Sequence, residues 1–334
     1  ALGGAVGTML SLSSEMNVEI LDVNVRVDMV VDDDAGAVKT AFGGLTGLAV
    51  GVQGSPHLVG ESQARGSVRI SGAANAVGGL VGAGGYLILG TTSADVDIEV
   101  EGAGEDLSAG DGGHGGLVGD AEFVEILNST AAGSVDSAAY FVGGLIGRAS
   151  TTQVESSFAT GDVRVVSPGA FVGGLVGVAG GGTFSYVAAS GTVTSEGFAA
   201  LGSAFAGGIA GSLDDVEVEN AFATGAVITN ASCAGGFAGS SEDSNVRLGW
   251  ASGDVASDDD AEGIGGFVGC AYVAGGTSSY EDVHATGDVG GGTVGAFAGE
   301  VDPQLRIRRA YASGRVAANV GSNGFVGLVE GVPQ

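Results

Sequence analysis

Several segments of the chain alternate apolar and polar residues with a period of two. From Val23 to Met29 the apolar side chains share one face, and from Asp95 to Glu101 one face is acidic and the other apolar. Such alternation is typical of half-buried β-strands. Glycine accounts for 67 of the 334 residues, and glycine at this density disfavours helices. The pattern therefore predicts an all-β fold.

A pentapeptide of the form Gly-Gly-apolar-small-Gly recurs along nearly the whole chain. From Gly115 onward its copies begin 28, 30, 34, 28, 30, 30 and 28 residues apart. A fixed period of this size predicts a stacked repeat array rather than a globular enzyme domain. The copies include a degenerate one at Gly295 and two near the ends of the chain, at Gly3 and Asn323. They begin at Gly3, Gly43, Gly78, Gly115, Gly143, Gly173, Gly207, Gly235, Gly265, Gly295 and Asn323.

A second signature, Ala-Ser/Thr-Gly-x-Val, keeps step with the pentapeptide. Its glycine lies 18 residues after the first glycine of the pentapeptide in the five consecutive repeats that begin with Gly115. A constant phase over so many copies indicates two fixed sides of one structural unit. The clear copies begin at Ala159, Ala189, Ala223, Ala251, Ala285 and Ala312, and the weaker ones at Ala64 and Ala131.

The repeat fits one coil of three strands or two shorter coils, and the two cases differ twofold in length because coils stack at about 4.8 Å. The difference between the two motifs favours one coil. We therefore predict an elongated β-solenoid, similar to a parallel β-helix, with 28–30 residues per repeat and three strands per coil. Two interior columns are then expected. One is Leu117, Leu145, Leu175, Ile209, Phe237, Phe267 and Phe297; the other is Val135, Val163, Val193, Val227, Val255, Val289 and Val316.

The paired glycines have two possible roles. They provide backbone angles closed to other residues at a corner, or they allow another sheet to approach closely. The residue after the central apolar position is also apolar, and a strand that is apolar on both faces is covered on both. Covering within the molecule is favoured over a partner for this stripe, which is Val118, Ile146, Val176, Ala210, Ala238, Val268 and Ala298.

The chain is strongly acidic, with Asp+Glu 39 against Lys+Arg 11 and a net charge of −28. Nucleic acids and anionic membrane surfaces are disfavoured as partners because their phosphates would be repelled. Three interpretations of the acidity remain open: a well-hydrated surface, adaptation to high salt, and cation binding. With 44% hydrophobic residues, the chain is not a disordered glycine-rich linker. It contains neither a signal peptide nor a long apolar span, so we expect it to be a mature or partial piece of a longer protein.

Cys233 and Cys270 are the two cysteines. Stacked in register, they would lie about seven residues apart along a strand, or roughly 20 Å, which exceeds the reach of a disulfide. We interpret both as small buried apolar residues, so the cysteines do not identify the cellular compartment of the protein.

The pentapeptides and their spacing resemble the GLUG repeat, a Gly-Leu-any-Gly motif of large bacterial and archaeal surface proteins. The resemblance covers residues 41–328 and is most regular over 115–328. It implies a secreted or surface-anchored adhesin or stalk with a β-rich, solenoid-like fold and no catalytic residues. The first spacings of 40, 35 and 37 residues and the replaced second glycine at Ala296 depart from the pattern. We therefore separate an irregular part with insertions, 1–114, from a regular array, 115–334.

Two acidic clusters are candidate calcium ligands, because several carboxylates in one loop can supply the oxygens that calcium prefers. They lack the EF-hand spacing, so solvated charge is the favoured interpretation, and no other cofactor is expected. The candidates are Asp32, Asp33, Asp34, Asp258, Asp259, Asp260 and Glu262. His57, His114 and His284 lie in different repeats without the spacing of a zinc site.

Aromatic residues often precede the second signature, at Phe158, Phe222, Trp250 and Tyr311, with His284 in the same position. Exposed, such a ladder could stack on sugar rings; buried, it would fill the core or a corner, which is the favoured interpretation. The next polar column could bind ice or, as we favour, form hydroxyl bonds along the stack. It comprises Thr160, Ser190, Thr224, Ser252, Thr286 and Ser313.

Asn128 and Asn230 begin sequons and are glycosylation candidates. Arg306, Arg308 and Arg309 form a basic cluster that could dock an acidic patch of a sister subunit. We expect a non-enzymatic extracellular adhesin or stalk module that contacts cells, glycans or sister molecules. The alternatives are a self-assembling filament subunit, and then a carbohydrate-active β-helix enzyme or an ice-binding protein.

Overall fold

The structure is a computed structural model that describes residues 1–11, 13, 17–32, 41–102, 112–196, 204–257, 261, 263–322 and 324–329. The described residues form strands and no helix. In this part of the chain there is therefore no helix long and apolar enough to span a membrane. The named strands pair in parallel. This arrangement is a β-solenoid, as the alternation and the repeat predict.

The strands of the described residues are β1 (Leu2–Gly3), β2 (Val6–Leu10), β3 (Glu19–Leu21), β4 (Asn24–Val31), β5 (Ala41–Gly43), β6 (Thr46–Val50), β7 (His57–Gly60), β8 (Gln63–Ala73), β9 (Ala76–Gly78), β10 (Val81–Gly90), β11 (Ser93–Gly102), β12 (His114–Gly115), β13 (Val118–Leu127), β14 (Thr130–Ala131), β15 (Val135–Ser137), β16 (Phe141–Gly143), β17 (Ile146–Glu155), β18 (Phe158–Ala159), β19 (Val163–Val165), β20 (Phe171–Gly173), β21 (Val176–Ala189), β22 (Val193–Ser195), β23 (Phe205–Gly207), β24 (Ala210–Ala223), β25 (Val227–Thr229), β26 (Cys233–Gly235), β27 (Ala238–Glu242), β28 (Asn245–Ala251), β29 (Val255–Ser257), β30 (Gly263–Gly265), β31 (Val268–Tyr272), β32 (Ser279–Ala285), β33 (Val289–Gly295), β34 (Ala298–Val301), β35 (Arg306–Ala312), β36 (Val316–Ser322) and β37 (Val326–Val329).

Each repeat makes one coil, as the difference between the two motifs predicts. The first glycine of a pentapeptide pairs in register with the first glycine of the next, as Gly143 does with Gly173. The pairing continues across the boundary at 114/115, where Gly78 pairs with Gly115. In one repeat the coil consists of three strands, β20, β21 and β22, and the long strand β21 bends at Gly181 and Tyr186. The full glycine column is Gly3, Gly43, Gly78, Gly115, Gly143, Gly173, Gly207, Gly235, Gly265 and Gly295.

The predicted interior columns form the core. The Leu/Phe column is at most 1% exposed from Leu117 to Phe297, and its aromatic end is a stack in which the rings of Phe267 and Phe297 lie 5.0 Å apart and nearly parallel. The valine column pairs in register from Val135 to Val316. The second apolar stripe, which includes Val118 and Ala298, is also buried, so the prediction that it is covered within the molecule is confirmed.

The glycines permit close approach rather than unusual backbone angles. A methyl group added at Gly177 would overlap the backbone of Val142, and one added at Gly143 would overlap the carbonyl of Ile146. Neither glycine has a positive φ. The strands before and after the pentapeptide therefore pack backbone against backbone, which is the second of the two roles expected from the sequence.

Left-handed residues form two corners of the coils. The first corner column is Tyr86, Phe123, Thr151, Gly181, Asp215 and Asp243, and the second is Asp22, Glu61, Thr91, Asn128, Ser156, Tyr186, Asn220, Leu248, Asp282 and Arg309. In the second column φ lies between 50° and 57° without any glycine. This conformation costs a non-glycine residue about 1–2 kcal/mol, so neighbouring contacts must hold it in place.

Buried hydroxyl groups brace both corners. At the second corner Ser129 Oγ accepts a hydrogen bond from Thr92 N (3.2 Å) and donates to Leu127 O (2.9 Å). At the first, Ser244 Oγ accepts from Val216 N (3.0 Å) and donates to Glu242 O (2.8 Å). Each hydroxyl follows a left-handed residue directly and ties it to the preceding coil, which offsets part of the backbone cost.

The prediction that the two cysteines are free is wrong, because Cys233 and Cys270 form a disulfide with a Cα–Cα distance of 5.7 Å. The prediction treated the pentapeptide as straight strand, whereas the chain reverses there. Gly269 of β31 lies against the backbone of Cys233 and Ala234 in β26. Gly263, the register partner of Cys233, leaves the space that the two sulfur atoms occupy.

Candidate functional site

The aromatic ladder is partly exposed, so the prediction of a buried filler is wrong. Phe158 is 39% exposed and Tyr311 is 53% exposed. Their column runs outside two buried columns, since each ring residue lies between residues such as Ala221 and Ala223 that point inward. Register pairing places Phe158, Ala188, Phe222, Trp250, His284 and Tyr311 in this column.

The rings of this ladder stack on one another. Centroids of Phe222 and Trp250 lie 4.7 Å apart, those of Trp250 and His284 6.0 Å, and those of His284 and Tyr311 4.7 Å, with planes within 7° of parallel. Both faces of Trp250 and His284 are therefore covered by neighbouring rings, which leaves mainly their edges for a ligand. Desolvation in the stack lowers the pKa of His284. We interpret the ladder as an outer brace between coils.

The Ser/Thr column lies beside this ladder and points outward. Thr160, Ser190, Thr224, Thr286 and Ser313 are exposed, and Ser252 is half-buried. Hydroxyl bonds along the stack occur instead in the buried column at the second corner, where Thr92 Oγ1 and Ser129 Oγ lie 2.9 Å apart.

Three aspartates of the second signature each accept a hydrogen bond from the backbone of the next coil. Asp162 Oδ1 accepts a hydrogen bond from Thr192 N (2.7 Å), Asp254 Oδ1 from Asp288 N (2.8 Å), and Asp288 Oδ1 from Arg315 N (2.8 Å). These carboxylates satisfy backbone donors at the bend within the second signature. Part of the acidity is therefore structural.

Arginines pair with acids one coil away. Arg164 bridges Asp136 and Glu196, at 3.1 Å and 2.9 Å. Arg69 and Glu99 lie 3.1 Å apart, and Arg247 pairs with Glu219. These pairs are exposed, so each contributes little to stability, but together they order the charged faces.

The predicted basic cluster is divided in its contacts. Arg309 contacts Glu281 (2.5 Å) and Asp282 (2.6 Å) in the preceding coil. Hydrogen bonds to Asp282 and Glu281 raise the pKa of Arg309 above its ordinary value. The Arg309 side chain holds the pKa of Asp282 below its usual value. Arg306, Arg308 and Arg309 are all exposed, so the whole cluster remains accessible to a sister subunit.

The calcium candidates fall mostly outside the described residues. Asp32 follows β4 and is exposed. In the described parts of the chain no group of three or more His, Cys, Asp and Glu side chains could hold a metal ion. The candidates outside the description are Asp33, Asp34, Asp258, Asp259, Asp260 and Glu262.

The two sequons differ in accessibility. Asn128 is exposed at a left-handed corner with φ 50°. The amide nitrogen of Asn230 donates to the carbonyl of Glu196 at 3.1 Å, and Asn230 is half-buried. Asn128 is therefore the better placed acceptor for a glycan.

Two histidines are buried in the core. Nε2 of His114 lies 3.0 Å from Ala74 O and Nδ1 lies 2.7 Å from Ser137 Oγ. A carbonyl only accepts, so Nε2 carries the proton and Nδ1 accepts from the hydroxyl. Burial lowers the pKa of His114 to about 4. His57 Nδ1 accepts from Val18 N at 3.0 Å, and burial lowers its pKa also.

A groove of about 340 Å³ lies at the first corner of the N-terminal half. Its walls include Pro56, Tyr86, Phe123, Glu125 and Gln153. The rings of Tyr86 and Phe123 stack with centroids 4.9 Å apart and planes 7° from parallel. Sequence reasoning missed both residues, although each breaks the alternation of its strand and thereby signals a corner.

Comparison with known proteins supports the resemblance noted from the sequence. Residues 138–164 match the family model described as the GLUG motif, and in the structure they form the end of one coil and most of the next, from β16 to β19. A search of curated proteins found no match to the chain.

Proposed function

We propose that the chain is a non-enzymatic structural module, an adhesin or stalk of an extracellular surface. The observation that carries the proposal is the unbroken register from Gly3 to Gly295. Nine steps at about 4.8 Å give a stack of roughly 43 Å. A continuous core along this length suits rigid reach, and the columns of outward side chains offer repeated contacts.

The disulfide supports an extracellular location. Disulfides persist in oxidising compartments and are rare in reducing ones, and Cys233–Cys270 joins successive coils of the stack. The acidic surface suits the same setting, because charge of one sign keeps a surface module hydrated and soluble.

Antibody labelling of intact and permeabilised host cells tests the proposal. Labelling of intact cells at the permeabilised level, lost after mild surface proteolysis, is the expected result. Signal confined to permeabilised cells would overturn it. A cytoplasmic protein of known location, labelled in parallel, reports on the integrity of the cells.

A second candidate function is a filament subunit whose copies stack end to end, and one register relationship favours it. Acidic residues of the first coil share columns with basic residues of the coil formed by β35 and β36. The pairs are Glu19 with Arg306, Asp22 with Arg309, and Asp28 with Arg315. Copies stacked in register would therefore bring opposite charges together.

Sedimentation at low and high salt tests the filament. The expected result is association at low salt that is lost in a variant carrying Arg306→Glu, Arg309→Glu and Arg315→Glu. Mixing this variant with one that carries Glu19→Arg, Asp22→Arg and Asp28→Arg should restore association. Equal association of the charge-reversed variant alone would contradict this mode of stacking.

A further inference from the structure

The side chains of the first corner column become smaller along the axis of the solenoid, from Tyr86 to Gly181. Tyr86 and Phe123 are stacked aromatic residues, and the next two positions are Thr151 and Gly181. One face of the Phe123 ring is covered by Tyr86, while the other looks toward these two small residues. Phe123 is 43% exposed, so a notch opens against its free face.

The backbone holds both rings outward. Phe123 has φ 54° and Tyr86 has φ 46°, a conformation that bulky residues rarely adopt. The same corner accepts glycine at Gly181, so the fold does not require an aromatic residue there. The stacked aromatic pair is therefore a feature of these two coils and not a requirement of the corner.

Polar groups surround the notch on the other sides. Glu125 and Gln153 are register partners in adjacent coils, both are exposed and both line the groove. Thr151 adds a hydroxyl, and Pro56 and Ile88 add apolar surface. An aromatic platform flanked by a carboxylate, a carboxamide and a hydroxyl matches a ring that is apolar on its face and carries hydroxyl groups at its edge.

We propose that this groove binds a pyranose unit of a neutral oligosaccharide. The sugar ring stacks on the free face of Phe123, and its hydroxyl groups bond to Glu125, Gln153 and Thr151. The net charge of −28 repels anionic saccharides, which selects neutral ones. The inference rests on the proposed adhesive function and names the class of ligand for one surface of it.

The stacked ladder from Phe222 to Tyr311 is not the same kind of site. Its interior rings have both faces covered by neighbouring rings, whereas Phe123 is the last ring of its stack before a small residue. Phe158, also exposed but in the other column, therefore serves as a matched control.

Titration calorimetry with the full chain tests the proposal, using neutral tetrasaccharides of β-1,4-glucose, β-1,3-glucose, α-1,4-glucose and β-1,4-N-acetylglucosamine. At least one should bind, Phe123→Ala should weaken it about tenfold, in line with the loss of one stacking contact, and Gln153→Ala should weaken it about fivefold, as for a lost hydrogen bond. Phe158→Ala should bind as the unchanged chain does, and Phe123→Trp should retain binding.

Absence of binding by all four sugars, or equal binding by Phe123→Ala and the unchanged chain, would overturn the proposal. Thermal unfolding of each variant shows that it is folded. Surface labelling of cells is independent of this titration, so a failure of the sugar site leaves the proposed location and stalk role to be decided separately.

Discussion

The Cβ atom of Ala159 lies directly beneath Gly144, where a methyl group added to the glycine would approach it to 3.1 Å. Gly174 and Ala189 repeat this relationship in the next coil, also at 3.1 Å. The second glycine of the pentapeptide and the alanine of the second signature are thus contact partners across the core. This contact explains why the two motifs keep a constant phase along the chain.

Gly174→Ala is expected to destabilise the stack. The added methyl group would overlap the carbonyl of Gly208 as well as press on Ala189, and such overpacking costs about 1–3 kcal/mol. The midpoint of urea unfolding should fall accordingly. Gly180→Ala is the matched control, because nothing lies within 4 Å of a methyl group there. Equal midpoints for the two variants would contradict the close-packing account.

Removing the disulfide is expected to lower stability by about 4 kcal/mol according to the loop-entropy relation, since the bridge closes a separation of 37 residues. A Cys233→Ala, Cys270→Ala double variant should unfold at lower urea concentration than the oxidised chain. The oxidised chain should show no reactive thiol when denatured without reductant. Two reactive thiols in that assay would disprove the bridge.

Stability is expected to fall as the pH is lowered from 6.5 to 4. In this window the unfolded His114 takes up a proton, since its ordinary pKa is 6.5, while the folded residue with a pKa of about 4 does not. The unfolded state therefore binds more protons, and the free energy of unfolding declines by roughly 3 kcal/mol over the window.

His114→Gln should remove this share of the pH dependence. Urea unfolding at intervals between pH 7 and pH 4 measures the slope for both chains, and the variant should have the shallower one. His57, also buried with a lowered pKa, contributes a similar slope to both chains and cancels in the comparison. Identical slopes would show that His114 is not held neutral.

Leu248→Asn is expected to stabilise the chain by about 0.5–1 kcal/mol. Leu248 has φ 55° and is 39% exposed, and asparagine adopts the left-handed region more readily than leucine does. Its register neighbour Asn220 already occupies the same corner. Ile228→Asn is the control, because Ile228 is 51% exposed in the extended strand β25. A gain in the control equal to that at Leu248 would remove the backbone explanation.

Sequence periodicity was sufficient to predict the coil and its core. Leu117 and Val135 fall in register columns because one residue of each repeat must occupy the same interior position. Phe222 was misjudged because aromatic residues are usually buried, although its neighbours Ala221 and Ala223 alternate with it and are the ones that point inward.

Two other features depend on three-dimensional contacts that a linear pattern does not carry. The Cys233–Cys270 bridge requires the reversal of direction at the pentapeptide, which only the backbone packing of Gly269 reveals. The corners have no glycine signature, since residues as different as Glu61 and Leu248 adopt the same left-handed conformation. Local propensity does not select these corners, and where a hydroxyl follows the left-handed residue, as at Ser62 and Ser129, it ties the corner to the preceding coil.

The most direct test of the in-register stack is a spin-label distance between Thr160 and Ser313. Both residues are exposed in one column, five coils apart by register pairing, so Thr160→Cys and Ser313→Cys labels should lie about 24 Å apart from five rises of about 4.8 Å. The native cysteines, being bridged, take no label. A narrow distribution near that distance would support one coil per repeat, and a distance near 48 Å, about twice the value from the coil rise, would contradict it.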